Sequence, residues 1–178
     1  MLADFVQVIP FVEVATQRDA GVFVLVKTSN PGGKLFQDVQ VEGQYLYQRV
    51  AQHVAQLASH GKGQCGYGAI GAVVGATYPR QLEQLRHEMP DSWLLVPGFG
   101  SQGGTARDVA GAFDENGLGA IVNNSRGIIF AHQRPEHQRQ CAHGNWQSAV
   151  EAATLDMIAR LRAETPAGRL ARQGGADR

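Results

Sequence analysis

The stretch VPGFGSQGG, Val96–Gly104, closes an apolar run and places four glycines among its last seven residues, with one glutamine, Gln102, kept between them. The residues leading into it, SWLLV, have the composition of a buried strand. After it, Thr105 stands where a helix N-cap belongs, ahead of TARDVAGAFDENG, a helical segment that stops at Gly117. Strand, glycine turn and helix in that order form a βα unit. Parallel α/β folds bind ligands beyond the carboxyl ends of their strands, where this turn falls. Glycines there let backbone N–H groups approach an anion, so a phosphate-bearing ligand accounts for the bare backbone and for the retained Gln102.

The same cycle runs in both directions. Upstream, GVFVLVKTSN (Gly21–Asn30) is apolar and β-branched and breaks at Asn30-Pro31-Gly32-Gly33. YLYQRVAQHVAQLA follows, with Leu46, Val50, Val54 and Leu57 on one helical stripe. AIGAVVGAT (Ala69–Thr77) is too apolar on both faces for a half-exposed strand, and Pro79 opens a helix carrying Leu82, Leu85 and Met89. Downstream, LGAIVNNSRGIIFA supplies a fourth strand with its loop. A last helix near Trp146–Glu164 is predicted to bury Val150, Ala153, Met157, Ile158 and Leu161. PFVEVATQRDA reads as one more helix on the N-terminal side. Strands apolar on both faces and separated by amphipathic helices predict the α/β class, with about four parallel βα units. The pattern fits an open doubly wound sheet or part of a β/α barrel. The domain is expected over residues 1–165, with 166–178 a frayed tail.

At 178 residues the chain suffices for one sizeable domain. Sixteen basic residues balance sixteen acidic ones, so no global field draws it to nucleic acid or anionic lipid, and any anion selectivity is local. No run approaches the ~18 to 20 apolar residues of a membrane span, and residues 1–10 lack a signal-peptide pattern. Cys65 and Cys141 are read as free thiols in a reducing cytoplasm.

Each strand ends in a distinctive loop: TSNPGG, GATYPR, PGFGSQGG and NNSRGI. Gly100, Gly103 and Gly104 before a helix, with Ser125-Arg126-Gly127 one strand later, supply the parts of a phosphate site: open amides, a helix start and a forked guanidinium. Ser29 caps a turn or contacts a ligand. Lys27 faces a site or, by the favoured reading, the outer rim. His132, His137, Cys141 and His143 invite a zinc reading, but their glutamine- and arginine-rich segment has no helical register and reads as a solvated loop, so no metal is assigned. GKGQCGYG (Gly61–Gly68) lacks the GK[ST] ending of a P-loop. Glu83, Glu88 and Asp108 belong to polar helix faces and form no carboxylate pair.

In this order and spacing, KTSNPGG, GAVVGATYP, LLVPGFGSQGG and IVNNSRGIIFA resemble the orotidine 5′-phosphate decarboxylase family, in its bacterial type 2 branch, from about Pro10 to about Ala163. The resemblance implies a β/α barrel that converts orotidine monophosphate to uridine monophosphate and carbon dioxide without metal or organic cofactor. It implies that Ser29 contacts the pyrimidine ring, that Pro97 and Gln102 line the base and phosphate region, and that Arg126 with the backbone at Ser125 clamps the phosphate, which the glycine turn at Gly100 and Gly103 admits.

One part departs from that pattern. The family's chemistry depends on an Asp-x-Lys-x-x-Asp motif, whose lysine protonates the carbanion left by carbon dioxide. The lysines here are Lys27, Lys34 and Lys62, preceded two residues earlier by Leu25, Gly32 and His60. No catalytic residue is assigned. The expectation is therefore the second half of the barrel, corresponding to strands five through eight of a fold of about 250 residues. It would be inactive alone; the expected partners are a second copy in the full-length family's homodimer or a complementing N-terminal half. A non-catalytic nucleotide-binding half-barrel or another phosphate-binding barrel enzyme are the alternatives.

Overall fold

The computed structural model describes residues 8–100, 103–137 and 145–173. The elements run α1 (Ile9–Gln17), β1 (Val22–Lys27), α2 (Lys34–Gln37), a hairpin of β2 (Gln40–Val41) and β3 (Gln44–Tyr45), α3 (Leu46–Ser59), β4 (Ile70–Val74) and α4 (Pro79–Glu88). Then come β5 (Leu94–Val96), α5 (Ala106–Val109), β6 (Ala120–Val122), α6 (Ser125–Ile129), α7 (Trp146–Glu164) and α8 (Gly168–Gln173). The main sheet has the order β1-β4-β5-β6, with every pairing parallel. Four consecutive βα units in sequential order form part of a β/α barrel, half the strand count of a closed one.

The sheet has two unequal faces. Ile70, Ala72, Val74, Leu94 and Val96 point into the helical layer and are buried against Ala51, Val54, Leu82, Leu85 and Met89. Pro79 starts α4 because its missing N–H has no intrahelical partner there, and the 3-residue and 4-residue steps from Leu82 to Leu85 to Met89 keep all three on the sheet. The other face carries a row in direct register, Leu25–Val73–Leu95–Ile121. These strands are apolar on both sides as expected, yet the row is open at its ends: Leu25 is 65% exposed and Ile121 45%. Among the described residues, helices cover only the opposite face.

One irregularity sets the upper edge of the sheet. Leu25 pairs with Val73 and Lys27 with Val74, so Val26 is an extra residue, a β-bulge. Lys27 thereby shares the helix-facing side with Val24 instead of following Phe23 and Leu25.

Several helices differ from their predicted form. In α3 the buried stripe is Tyr47, Ala51, Val54 and Ala58, one position off the larger residues Leu46, Val50 and Leu57, because alanines let the helix lie close to the sheet. A Cβ on Gly68 would fall 2.2 Å from the Ala58 carbonyl oxygen, which measures that closeness. In α7 the inward face is Ala149, Ala153 and Met157, while Ile158 is 38% exposed. The helix after Thr105 is only one turn of α5 plus a 3-10 turn at Ala110–Ala112. It ends there because Asp114 turns the chain, accepting from the amides of Asn116 and Leu118 at 2.8 Å each. Residues 125–129, predicted as loop, are helical under an Asn124 cap. The tail from Pro166 does not fray at once: α8 follows Thr165, whose Oγ1 accepts from the Ala167 amide at 3.2 Å, and Pro166 packs on Gly117.

A buried polar group closes the amino-terminal end of the sheet. The Arg86 guanidinium donates to the carbonyls of Met89, Ser92 and Gly119 and lies under the Tyr67 ring. Tyr67 donates to Asp114 at 2.7 Å. Burial, followed by that bond, pushes the Tyr67 hydroxyl well above its ordinary pKa. Burial opposes ionisation of Asp114, but the bonds from Tyr67 and the Leu118, Asn116 and Gly117 amides outweigh it and hold the carboxyl below the usual range. GKGQCGYG thus serves as a turn that delivers Tyr67 to this cluster. Among the described residues, no helix is long and apolar enough to cross a membrane.

Candidate nucleotide-phosphate site

The carboxyl ends of the four strands are tied edge to edge. The Gly75 amide donates to the Lys27 carbonyl at 2.7 Å, and the Ala76 amide to the Pro97 carbonyl at 2.8 Å. Ser29 sits directly on Gly75, where a Cβ would come 2.2 Å from its hydroxyl oxygen. Its hydroxyl donates to the Pro97 carbonyl at 3.5 Å. Ser29 and Pro97, far apart in sequence, therefore occupy one spot above β1, β4 and β5.

Beyond Pro97 the chain makes the glycine turn. Gly98, Gly100 and Gly103 have φ of 97°, 70° and 91°, the left-handed region that glycine enters without steric cost. The turn is closed by its own amides: Gly100 donates to Gly104 at 2.7 Å, Gly103 to Gly100 at 3.0 Å, and Gly104 to Gly98 at 3.3 Å. This corrects the expectation that the amides of Gly100 and Gly103 face an anion. Those glycines shape the backbone, and their donors are engaged inside it. The following helix is a single turn, so few aligned peptide dipoles add up at its start. Gln102 and its neighbour Ser101 lie outside the described residues.

The neighbouring turn, after β6, is fastened to this one by a residue that sequence reasoning missed. Asn124 caps α6, its Oδ1 accepting from the Gly127 amide at 3.1 Å. Its side chain also lies against Gly100, where a Cβ would meet Nδ2 at 3.0 Å, and against Gly127, where a Cβ would meet Oδ1 at 2.1 Å. Two glycines on different strand ends thus make room for one asparagine. The available signal was the Asn-Ser-Arg-Gly spacing, an N-cap residue three positions before a glycine.

Ser125 and Arg126 form the exposed first turn of α6. The other arginines near the turns have carboxylate partners: Arg107 with Glu164 at 2.9 Å, Arg160 with Asp156 at 2.9 Å and Arg134 with Glu136 at 3.7 Å. Among the described residues no carboxylate pairs with Arg126, leaving its guanidinium available to an external anion. A cavity of about 90 Å³ lies between the two turns, lined by Gly100, Asn124, Gly127, Arg134, Glu136 and Asp156 among others, and Arg126 stands outside that lining.

The lysines lie elsewhere. Lys62 pairs with Asp91 at 2.8 Å, and Lys34 reaches the Tyr78 ring at 6.0 Å. Lys27, expected on the outer rim, is 1% exposed and paired with Asp38. No three histidine, cysteine, aspartate or glutamate side chains gather among the described residues; Cys141 and His143 lie outside them.

Comparison with known proteins agrees with this architecture. The family model described as orotidine 5'-phosphate decarboxylase / HUMPS matches residues 1–141. Orotidine 5'-phosphate decarboxylase of Rhodopirellula baltica is 57% identical over 153 residues, covering 86% of this chain and 51% of that protein. The corresponding protein of Caldicellulosiruptor bescii is 46% identical over 128 residues, 72% of this chain and 42% of its own. The solved structure of Leishmania donovani OMP decarboxylase superposes with a TM-score of 0.58 at 29% identity, over 85% of this chain and 51% of that one. The chain spans about half the length of the curated relatives it matches.

Proposed function

The chain belongs to the orotidine 5'-phosphate decarboxylase / HUMPS family, and from that premise we propose that it forms the nucleotide-holding side of an orotidine monophosphate decarboxylase site. The observation that carries this reading is the junction made by Asn124, which puts the Gly100 turn and the Arg126 turn side by side, while Pro97 at the start of the first turn accepts from the Ser29 hydroxyl. In this reading Arg126, the Ser125 backbone and Gln102 hold the 5′-phosphate, the turn shaped by Gly100 and Gly103 lets it approach, and Ser29 and Pro97 meet the pyrimidine.

Holding the phosphate is remote from the carbon–carbon bond that breaks, so it supplies binding energy and leaves charge development at the reacting carbon to other groups. Those groups are the lysine and aspartates of the family motif, and none of the three lysines here sits in an Asp-x-Lys sequence. The proposal is therefore that this chain binds orotidine or uridine monophosphate without a cofactor and does not decarboxylate by itself. Activity requires the motif to be brought by a polypeptide segment other than this one, such as a complementing N-terminal half. A cytoplasmic location fits pyrimidine synthesis and is part of the same proposal.

Calorimetric titration tests the binding claim. Uridine monophosphate and ribose 5-phosphate should bind and uridine should not. Arg126→Ala should weaken both phosphate ligands roughly ten- to hundredfold, the worth of a charge-assisted hydrogen bond. Unchanged affinity in Arg126→Ala would remove the site from this turn, and family-like decarboxylation by the pure chain would overturn the division of labour.

A further inference from the structure

We propose that Lys27 is the positioning residue of the base-recognition loop: its buried ammonium anchors residues 28–38 against the helical layer and so fixes where Ser29 stands. This deepens the functional reading above and rests on it for the identity of the ligand.

The geometry converges on one atom. Lys27 ends β1, one residue past the Val26 bulge, and its Nζ bonds Asp38 at the far end of the loop. The same Nζ stands 5.1 Å from the Tyr47 ring centre in α3 and 4.8 Å from the Tyr78 ring centre ahead of α4, within cation–π range of both. Between these anchors, Gln37 accepts from the Thr28 amide at 3.0 Å, and the Lys27 carbonyl receives the Gly75 amide. The loop that bears Ser29 is thus closed at both ends by Lys27 and seated on Gly75.

Stability alone does not explain such a lysine. A buried ion pair is commonly matched or bettered by an apolar residue of similar shape, whereas its directional bonds fix one arrangement of the chain around it. Methionine would fill the space between the two tyrosines and leave Asp38, already partly solvated, to face water. Lys27→Met should therefore keep the fold while releasing the loop, separating positioning from general support.

The test has two arms on the full chain. In amide hydrogen exchange, Lys27→Met should speed residues 28–45 about tenfold, the loss of one charge-assisted bond, with β4 and β5 amides unchanged. Asp38→Asn, which keeps the side-chain shape, should reproduce the pattern more weakly. In titration, Lys27→Met should weaken uridine monophosphate roughly three- to tenfold, the worth of an ordinary hydrogen bond, while ribose 5-phosphate affinity stays constant. Exchange that rises uniformly across the sheet, or in no segment, overturns the proposal. So does an equal change in both ligands. The exchange arm needs no ligand, so a wild-type chain that binds neither nucleotide nor sugar phosphate would defeat the functional reading while the anchoring claim is still decided.

Discussion

An alanine at Gly127 would place its methyl carbon 2.1 Å from Asn124 Oδ1 and 2.3 Å from Nδ2, separations that two non-bonded heavy atoms cannot hold. The obstacle is the end of a side chain, so Asn124 would swing away while the α6 backbone stays in place. That removes the N-cap, which is worth about 1 kcal/mol. Displacing a packed group adds at least about 1 kcal/mol. Against this stands the better helix propensity of alanine, about 1 kcal/mol at most. The net expectation for Gly127→Ala is a loss of about 1 kcal/mol, and Asn124→Ala alone should cost about the same through its cap. In the double variant the collision is gone and the propensity gain remains, so its stability should return near wild type. The two changes are therefore coupled by about 2 kcal/mol, and Gly127→Ala reverses sign once Asn124 is absent. Urea unfolding of the four proteins at one concentration measures the cycle. Equal cost of Gly127→Ala in both backgrounds would refute the shared-space argument and, with it, the claim that Asn124 holds the two turns together. Ribose 5-phosphate affinity should fall in both single variants for the same reason.

Two further outcomes follow from features away from the phosphate turns. The Asp114 carboxyl has a folded pKa below its unfolded value, so its contribution to stability is present above about pH 4 and lost as pH falls through the folded value. Asp114→Asn should lower the urea midpoint at pH 7, and the gap from wild type should narrow as pH falls below about 4; a gap that widens in acid would contradict the assignment. The open row Leu25–Val73–Leu95–Ile121, together with the outer edges of β1 and β6, should drive concentration-dependent association in sedimentation, reduced by Leu25→Lys with Ile121→Lys. A wild-type chain that stays monomeric at all concentrations would count against it.

The readable features of the sequence were those where one residue type has one physical use. Proline at the head of α4, leucines and a methionine at helical spacing behind it, and glycines with left-handed φ at the strand end were all interpretable from the chain alone. The α3 and α7 faces were read only in part: Val54, Ala153 and Met157 are buried as expected, but periodicity weights large side chains, whereas close approach to the sheet selected Ala51 and Ala58 in α3 and packing against Ala131 selected Ala149 in α7. The two turns do lie side by side, but the donors of Gly100 and Gly103 were assigned outward when the turn uses them itself, since glycine content reports conformational freedom and not which way an N–H points. Asn124 went unseen because its significance depends on Gly100, 24 positions earlier and on another strand, and a linear pattern does not contain that distance. Lys27 was misplaced for a different reason: strand alternation assigns a face only while the ladder stays in step.

That last point reaches beyond one side chain. At the end of β1, whether the ladder takes up position 26 or bulges past it determines whether the ammonium of the next residue belongs to the helical layer or to the open face of the sheet. Were the ladder to run on without the bulge, Val26 would pair with Val74 and Lys27 would follow Phe23 and Leu25, setting a cation on what is now a neutral hydrocarbon face. Two chains with the same residues here, one bulged and one not, would read alike in sequence and present electrostatically opposite sheet faces.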